Sequence, residues 1–171
     1  CVDRKGKLII PSFSVGRTQE IIFVLNNFYN EGRLPRIEVF VDSPLAVNVT
    51  EVFRKYPEYY DNDARNLLQS GDNPFSFEGL RYIREVKDSM KLNDINDPCI
   101  IISASGMCEA GRILHHLKNN IENPNNTVLI VGFMAEHTLG RKLVDKAETV
   151  KIFGDIFSVK ARIHKINSFS G

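Results

Sequence analysis

The stretch IIISASGMCEAGRILHHLKNN, running from Ile100 to Asn120, joins an unbroken apolar run to a small-residue turn and then to an amphipathic segment. Three consecutive isoleucines suit a strand buried on both faces, as in a parallel sheet covered by helices. Ala110, Ile113, Leu114, Leu117 and Ile121 recur at helical spacing and predict a helix over 109–121. Between the two lie Ser103-Ala104-Ser105-Gly106-Met107, small residues that let a backbone or a ligand come close. The start of a helix also offers unpaired N–H groups to an anion.

The same alternation recurs along the chain. Strands are predicted over 7–11, 37–41, 98–103 and 127–133, with a weaker one over 80–86. Helices are predicted from Ser14 or Gly16 to about residue 30, over 45–56, 57–70 and 139–147, with a short helix or turn over 89–95. Asp42-Ser43-Pro44 reads as a helix start, with Asp42 as its cap. Three further β segments fall over 150–153, 156–159 and 162–166. The fold class is therefore α/β: a mainly parallel sheet with helices on both faces, Rossmann-like. In such folds chemistry gathers in the loops that follow the strands, here 11–17, 42–46, 103–111 and 132–141.

The totals suit one domain of 171 residues, 43% hydrophobic and 25% charged. No window approaches the roughly 20 apolar residues of a membrane span, so no membrane partner is expected. Cys1, Cys99 and Cys108 lack paired spacing and are expected to be reduced thiols in a cytoplasmic protein. The chain opens at Cys1 without Met, as a piece of a longer polypeptide would. Its net charge of +1 is unevenly spread: residues 51–97 carry 7 basic against 10 acidic side chains, and residues 138–171 carry 7 against 3. That basic end suits contact with phosphates, or simply a solvated face.

Histidines raise the question of a metal. His115 and His116 are neighbours on a helix and diverge by about 100°, so they do not clasp one ion, and both are expected to be surface or half-buried. The sequence has no HxHxDH, HExxH or paired CxxC, and no metal site is expected within it. GxGxxG, GxxxxGK[ST] and GxSxG are also missing. Ser105-Gly106 and Thr138-Leu139-Gly140-Arg141 suit a phosphate cradle, or tight turns. Asp42 and Glu136 follow apolar runs and suit acid–base work, or helix capping.

Taken together the loops are distinctive. IIPSFSVGRTQEIIFVL, VFVDSPLAVNVTEVF, IIISASGMCEAGRILHHLKNNI, VLIVGFMAEHTLGRKLVDKA and VKIFGDIFSVKARIHKINSFSG resemble, in order and spacing, the β-CASP region of RNA-processing metallo-β-lactamase hydrolases. That family includes RNase J and the cleavage and polyadenylation endonuclease. The resemblance spans essentially all of residues 1–171 as a single domain, with 150–171 leading back toward a catalytic domain. It implies a cap inserted in a metallo-β-lactamase domain of the same chain, which supplies HxHxDH and binds two zinc ions. Single-stranded RNA would thread the cleft between them, and a histidine would follow Gly171. By resemblance Ser105, Gly106, Thr138, Gly140, Arg141, Ser170 and Gly171 line the path of the RNA phosphates, with Arg17 nearby. No catalytic residue is implied within these 171, and a homodimer is left open. His137 stands where the family usually has glycine. The alternative is a free-standing α/β module that binds a nucleotide or a protein.

Overall fold

Cys99–Ser103 forms a strand, β4, and all five of its residues are buried. It lies inside a six-stranded sheet seen in a computed structural model that describes residues 1–167. The other members are β1 (Leu8–Pro11), β2 (Glu38–Asp42), β3 (Leu80–Ile83), β5 (Thr127–Ile130) and β8 (Arg162–Lys165). The spatial order is β3-β2-β4-β1-β5-β8 and every neighbouring pair is parallel. Ile101 of β4 sets the central register, opposite Ile9 of β1 and Phe40 of β2. Two further strands, β6 (Thr149–Ile152) and β7 (Asp155–Ser158), pair antiparallel as a separate ribbon.

The described residues include six α-helices: α1 (Arg17–Asn30), α2 (Pro44–Lys55), α3 (Asn62–Gln69), α4 (Val86–Lys91), α5 (Arg112–Asn120) and α6 (Leu139–Val144). Side chains of a strand alternate between faces, which sorts the apolar runs into two cores. Ile10, Val39, Val41, Ile100 and Ile102 pack with Ile21, Ile22 and Leu25 of α1 and Ala46 of α2. Ile9, Val128 and Ile130 pack on the other face with Ile113 and Leu117 of α5, Leu143 of α6 and Val150 and Ile152 of β6. A smaller cluster joins Phe40 and Ile101 to Leu92. Two covered faces explain why the strands read as continuous apolar runs rather than as alternating ones.

Several boundaries differ from the sequence reading. The helix predicted over 57–70 divides into a 3-10 turn at Pro57–Tyr59 and α3, whose N-cap Asp61 accepts a hydrogen bond from the Ala64 N–H at 2.9 Å. Strand β3 stops at Ile83, and the short helix that follows is α4, three residues earlier than the sequence suggests. The helix predicted from Glu109 begins at Arg112, with Gly111 at its N-cap at φ +80°. Residues 105–110 are instead folded back on Ser105, whose Oγ accepts from the N–H groups of Glu109 (3.1 Å) and Ala110 (3.2 Å).

Candidate functional site

Because all six strands are parallel, the loops after β1, β4, β5 and β8 emerge on one edge of the sheet. The chain leaving β1 enters α1 on one face, while its neighbour β4 feeds α5 on the other. Adjacent strands whose connections part to opposite faces open a crevice between their loops. At this edge opens a cavity of about 390 Å3, lined mainly by the segments after β1, β5 and β8 (Ser12, Phe13, Arg17, Gly132, Phe133, Lys165 and Asn167 among them) and by Gly106 of the loop after β4. Ser105 lies in the loop after β4 and Thr138 in the loop after β5, both of which leave this edge. Ser170 and Gly171 lie outside the described residues.

Within this edge the individual residues differ in what they offer. Ser105 Oγ accepts two backbone N–H groups, which leaves its hydroxyl proton to donate to a ligand. Thr138 is the N-cap of α6: its hydroxyl donates to the Ala135 carbonyl at 2.7 Å and accepts from the Arg141 N–H at 3.1 Å. Both capacities of that hydroxyl are used within the chain. Arg141 Nε meets both oxygens of Asp145, at 2.9 and 2.8 Å, on a part-exposed face. Arg17 opens α1 and pairs with Glu20 at 2.6 Å.

The glycines of the two loops are small for reasons internal to the fold. A Cβ on Gly106 would come within 2.8 Å of the Phe13 ring. One on Gly140 would lie 2.3 Å from Met134 Sδ and 2.9 Å from the Met107 carbonyl oxygen. Gly140 also donates its N–H to that oxygen at 3.0 Å, and Glu109 Oε1 accepts from the Leu139 N–H at 2.5 Å. The 103–111 loop thus caps and carries the start of α6, so the two predicted phosphate loops form one unit. Glu109, expected to begin the 109–121 helix, lies before α5, and its carboxylate serves the first turn of α6 instead.

His137, one residue before that cap, has φ +68°. The left-handed region costs an L-residue about 1–2 kcal/mol, whereas replacing a residue by glycine loosens the unfolded chain by about 0.4–1 kcal/mol. The first effect wins, so His137→Gly is expected to stabilise the chain by about 0.5–1 kcal/mol, a rise in the urea midpoint at unchanged slope. A lower midpoint would show that the imidazole makes a compensating contact.

Two sequence expectations are corrected at the end of β2. Asp42 does not cap α2; Ser43 does, accepting from the Ala46 N–H at 3.2 Å. His116 is not a surface or half-buried residue but 0% exposed, as is Asp42. Asp42 Oδ2 accepts from Ser89 Oγ and from His116 Nε2, both at 2.6 Å, and Oδ1 accepts from Arg112 Nη1 at 2.7 Å. His116 Nδ1 lies 3.0 Å from Asn93 Oδ1, and Arg112 Nη2 donates to the Arg84 carbonyl at 2.6 Å. Burial alone would raise the Asp42 pKa, but the hydrogen bonds from His116, Ser89 and Arg112 hold it below the usual carboxylate value. A carboxylate so enclosed is out of reach as an acid or base for substrate. A signal was present: Ile113, His116, Leu117 and Asn120 repeat at i, i+3, i+4 and i+7, one helical face.

All three cysteines are free thiols, and burial pushes Cys99 up to about 11 and Cys108 up to about 12. Among the described residues no cluster of three His, Cys, Asp or Glu side chains would hold a metal ion, so these residues do not fit a zinc site. Among the described residues no helix is long and apolar enough to cross a membrane.

With this geometry in place, the model of the Beta-Casp domain matches residues 18–143. The chain is 35% identical over 167 residues to Ribonuclease TTHA0252 of Thermus thermophilus, an alignment that spans 97% of this chain and 38% of that protein. It is 32% identical over 165 residues to the RNase J-like protein of Methanocaldococcus jannaschii, spanning 96% of this chain and 37% of that one. Against Transcription termination factor FttA of Methanococcus maripaludis the identity is 33% over 176 residues, 99% of this chain and 27% of the relative. The chain therefore spans well under half the length of these curated relatives.

Proposed function

The chain belongs to the Beta-Casp domain family, and we propose that it is the nucleic-acid-positioning cap of an RNA-processing nuclease. The observation that carries this reading is the convergence of the loops after β1, β4, β5 and β8 on one crevice, with the cations Arg17 and Lys165 in its wall. Hydroxyls, backbone N–H groups and cationic side chains are the donors that position nucleic acid through its phosphates. The names of the relatives, two ribonucleases and a transcription termination factor, agree in pointing to RNA. Phosphodiester hydrolysis would belong to a metallo-β-lactamase domain of the same polypeptide, with zinc held by residues outside these 171. The contribution of the cap is orientation: it fixes the strand so that the scissile bond is presented in one geometry. Within this role Ser105, Arg17, Lys165 and the Arg141-Lys142 pair act on phosphates, while Thr138, Gly106 and Gly140 keep their loops in place. Ser170 and Gly171 complete the path by resemblance.

The test is binding of single-stranded RNA by the full-length protein across a salt series. Replacing Arg141 and Lys142 together by alanine should weaken binding and reduce the slope of log affinity against log salt by about 0.7 for each phosphate contact removed. An unchanged slope would assign both residues to a solvated face.

A further inference from the structure

We infer that the crevice holds one unpaired nucleobase of the bound strand, stacked on Phe13 and Phe133, with the adjoining phosphates met by Arg17 and Lys165. The inference rests on the cap reading and adds the part of the substrate that this edge recognises. Phe133 is 72% exposed and Phe13 48%, and both line the same cavity as the two cations. A single exposed aromatic ring needs no explanation. Two that flank one concave site beside positive charge form the combination by which single strands are held, bases on rings and backbone on cations.

The Phe13 ring is seated rather than loose. It packs against the bare backbone of Gly106, where any Cβ would intrude to 2.8 Å. Its own backbone is pinned because the Phe13 carbonyl accepts from the Thr18 N–H (3.2 Å) and hydroxyl (2.7 Å). A ring held from one side offers its other face at little further entropic cost. Phe133 follows β5, beside Gly132, whose surroundings are open. An apolar protein partner on these rings would bring Lys165 against a surface with no charge to match it, whereas a nucleotide supplies a π-face and an anion together. A base paired within a duplex has no free face, so the ligand is single-stranded.

The experiment compares full-length wild type, Phe133→Ala, Phe133→Leu and Phe133→Tyr in binding a single-stranded RNA and a set of the same RNA with one abasic position moved stepwise along it. Phe133→Ala should weaken binding of the intact strand about 5- to 100-fold, Phe133→Leu should fail to restore it and Phe133→Tyr should restore it. One abasic position should weaken wild-type binding similarly and cost Phe133→Ala nothing more. Circular dichroism of the variants reports their folding, which an exposed ring should leave unchanged. If no abasic position is discriminated by Phe133, or if the variants change only thermal stability, the stacking site is overturned while salt-dependent RNA binding keeps the cap reading intact. A wild type that binds no single-stranded RNA overturns both.

Discussion

Replacing Asp42 by alanine is expected to remove about 3–5 kcal/mol of stability, the cost of breaking a buried ion pair from one side. The carboxylate is 0% exposed and accepts hydrogen bonds from Ser89, His116 and Arg112, which belong to α4 and α5. Without it, the fully buried His116 ring loses the partner of its Nε2 and the Arg112 guanidinium loses its carboxylate, keeping the Arg84 carbonyl. Denaturation in urea at neutral pH reads the effect, and a loss below about 1 kcal/mol would mean that the network relaxes around the gap. The wild type should also show a characteristic acid limb. The folded pKa of Asp42 is lowered, the unfolded value being about 3.9, so its stabilisation is present above the unfolded pKa. That stabilisation is lost as pH falls through the folded pKa, and Asp42→Ala should lack this part of the acid dependence.

The second large effect is expected at Gly140. A Cβ there stands 2.3 Å from Met134 Sδ, which can move, and 2.9 Å from the Met107 carbonyl, which is backbone and already accepts the Gly140 N–H. Gly140→Ala should therefore cost about 1–3 kcal/mol, as overpacking does. It should also part α6 from the 103–111 loop, so that binding of single-stranded RNA by the full-length protein falls as well. Normal stability with normal binding would show that the two loops are not one unit.

How far the sequence could be read depended on the kind of force involved. Ile100-Ile101-Ile102 announced a strand covered on both faces because burial is written directly in side-chain type. The small residues of 103–106 marked the working edge because parallel strands send their following loops to one side. Polar partnership is not written that way. Asp42 and Ser43 are both good capping residues, and only the arrival of His116 and Arg112, some seventy positions later, decides that Ser43 caps while Asp42 turns inward. Glu109 likewise looked like the first turn of its own helix, although its carboxylate serves Leu139 thirty residues on. Gly106 and Gly140 advertised closeness without saying to what, and the nearest neighbours are Phe13, Met134 and Met107 of the same chain.

The sheet order has a mechanical consequence. β1 enters at one edge of the sheet and β8, two strands away and parallel to it, leaves at the opposite edge, with β5 between them. Tension transmitted between Leu8 and Lys165 therefore runs along the strands in opposite senses. It loads the hydrogen bonds of the β1–β5 and β5–β8 ladders side by side, so they must yield together rather than one after another like a zip. Pulled in this sense, between the start of β1 and the end of β8, the sheet is loaded in shear rather than peeled open.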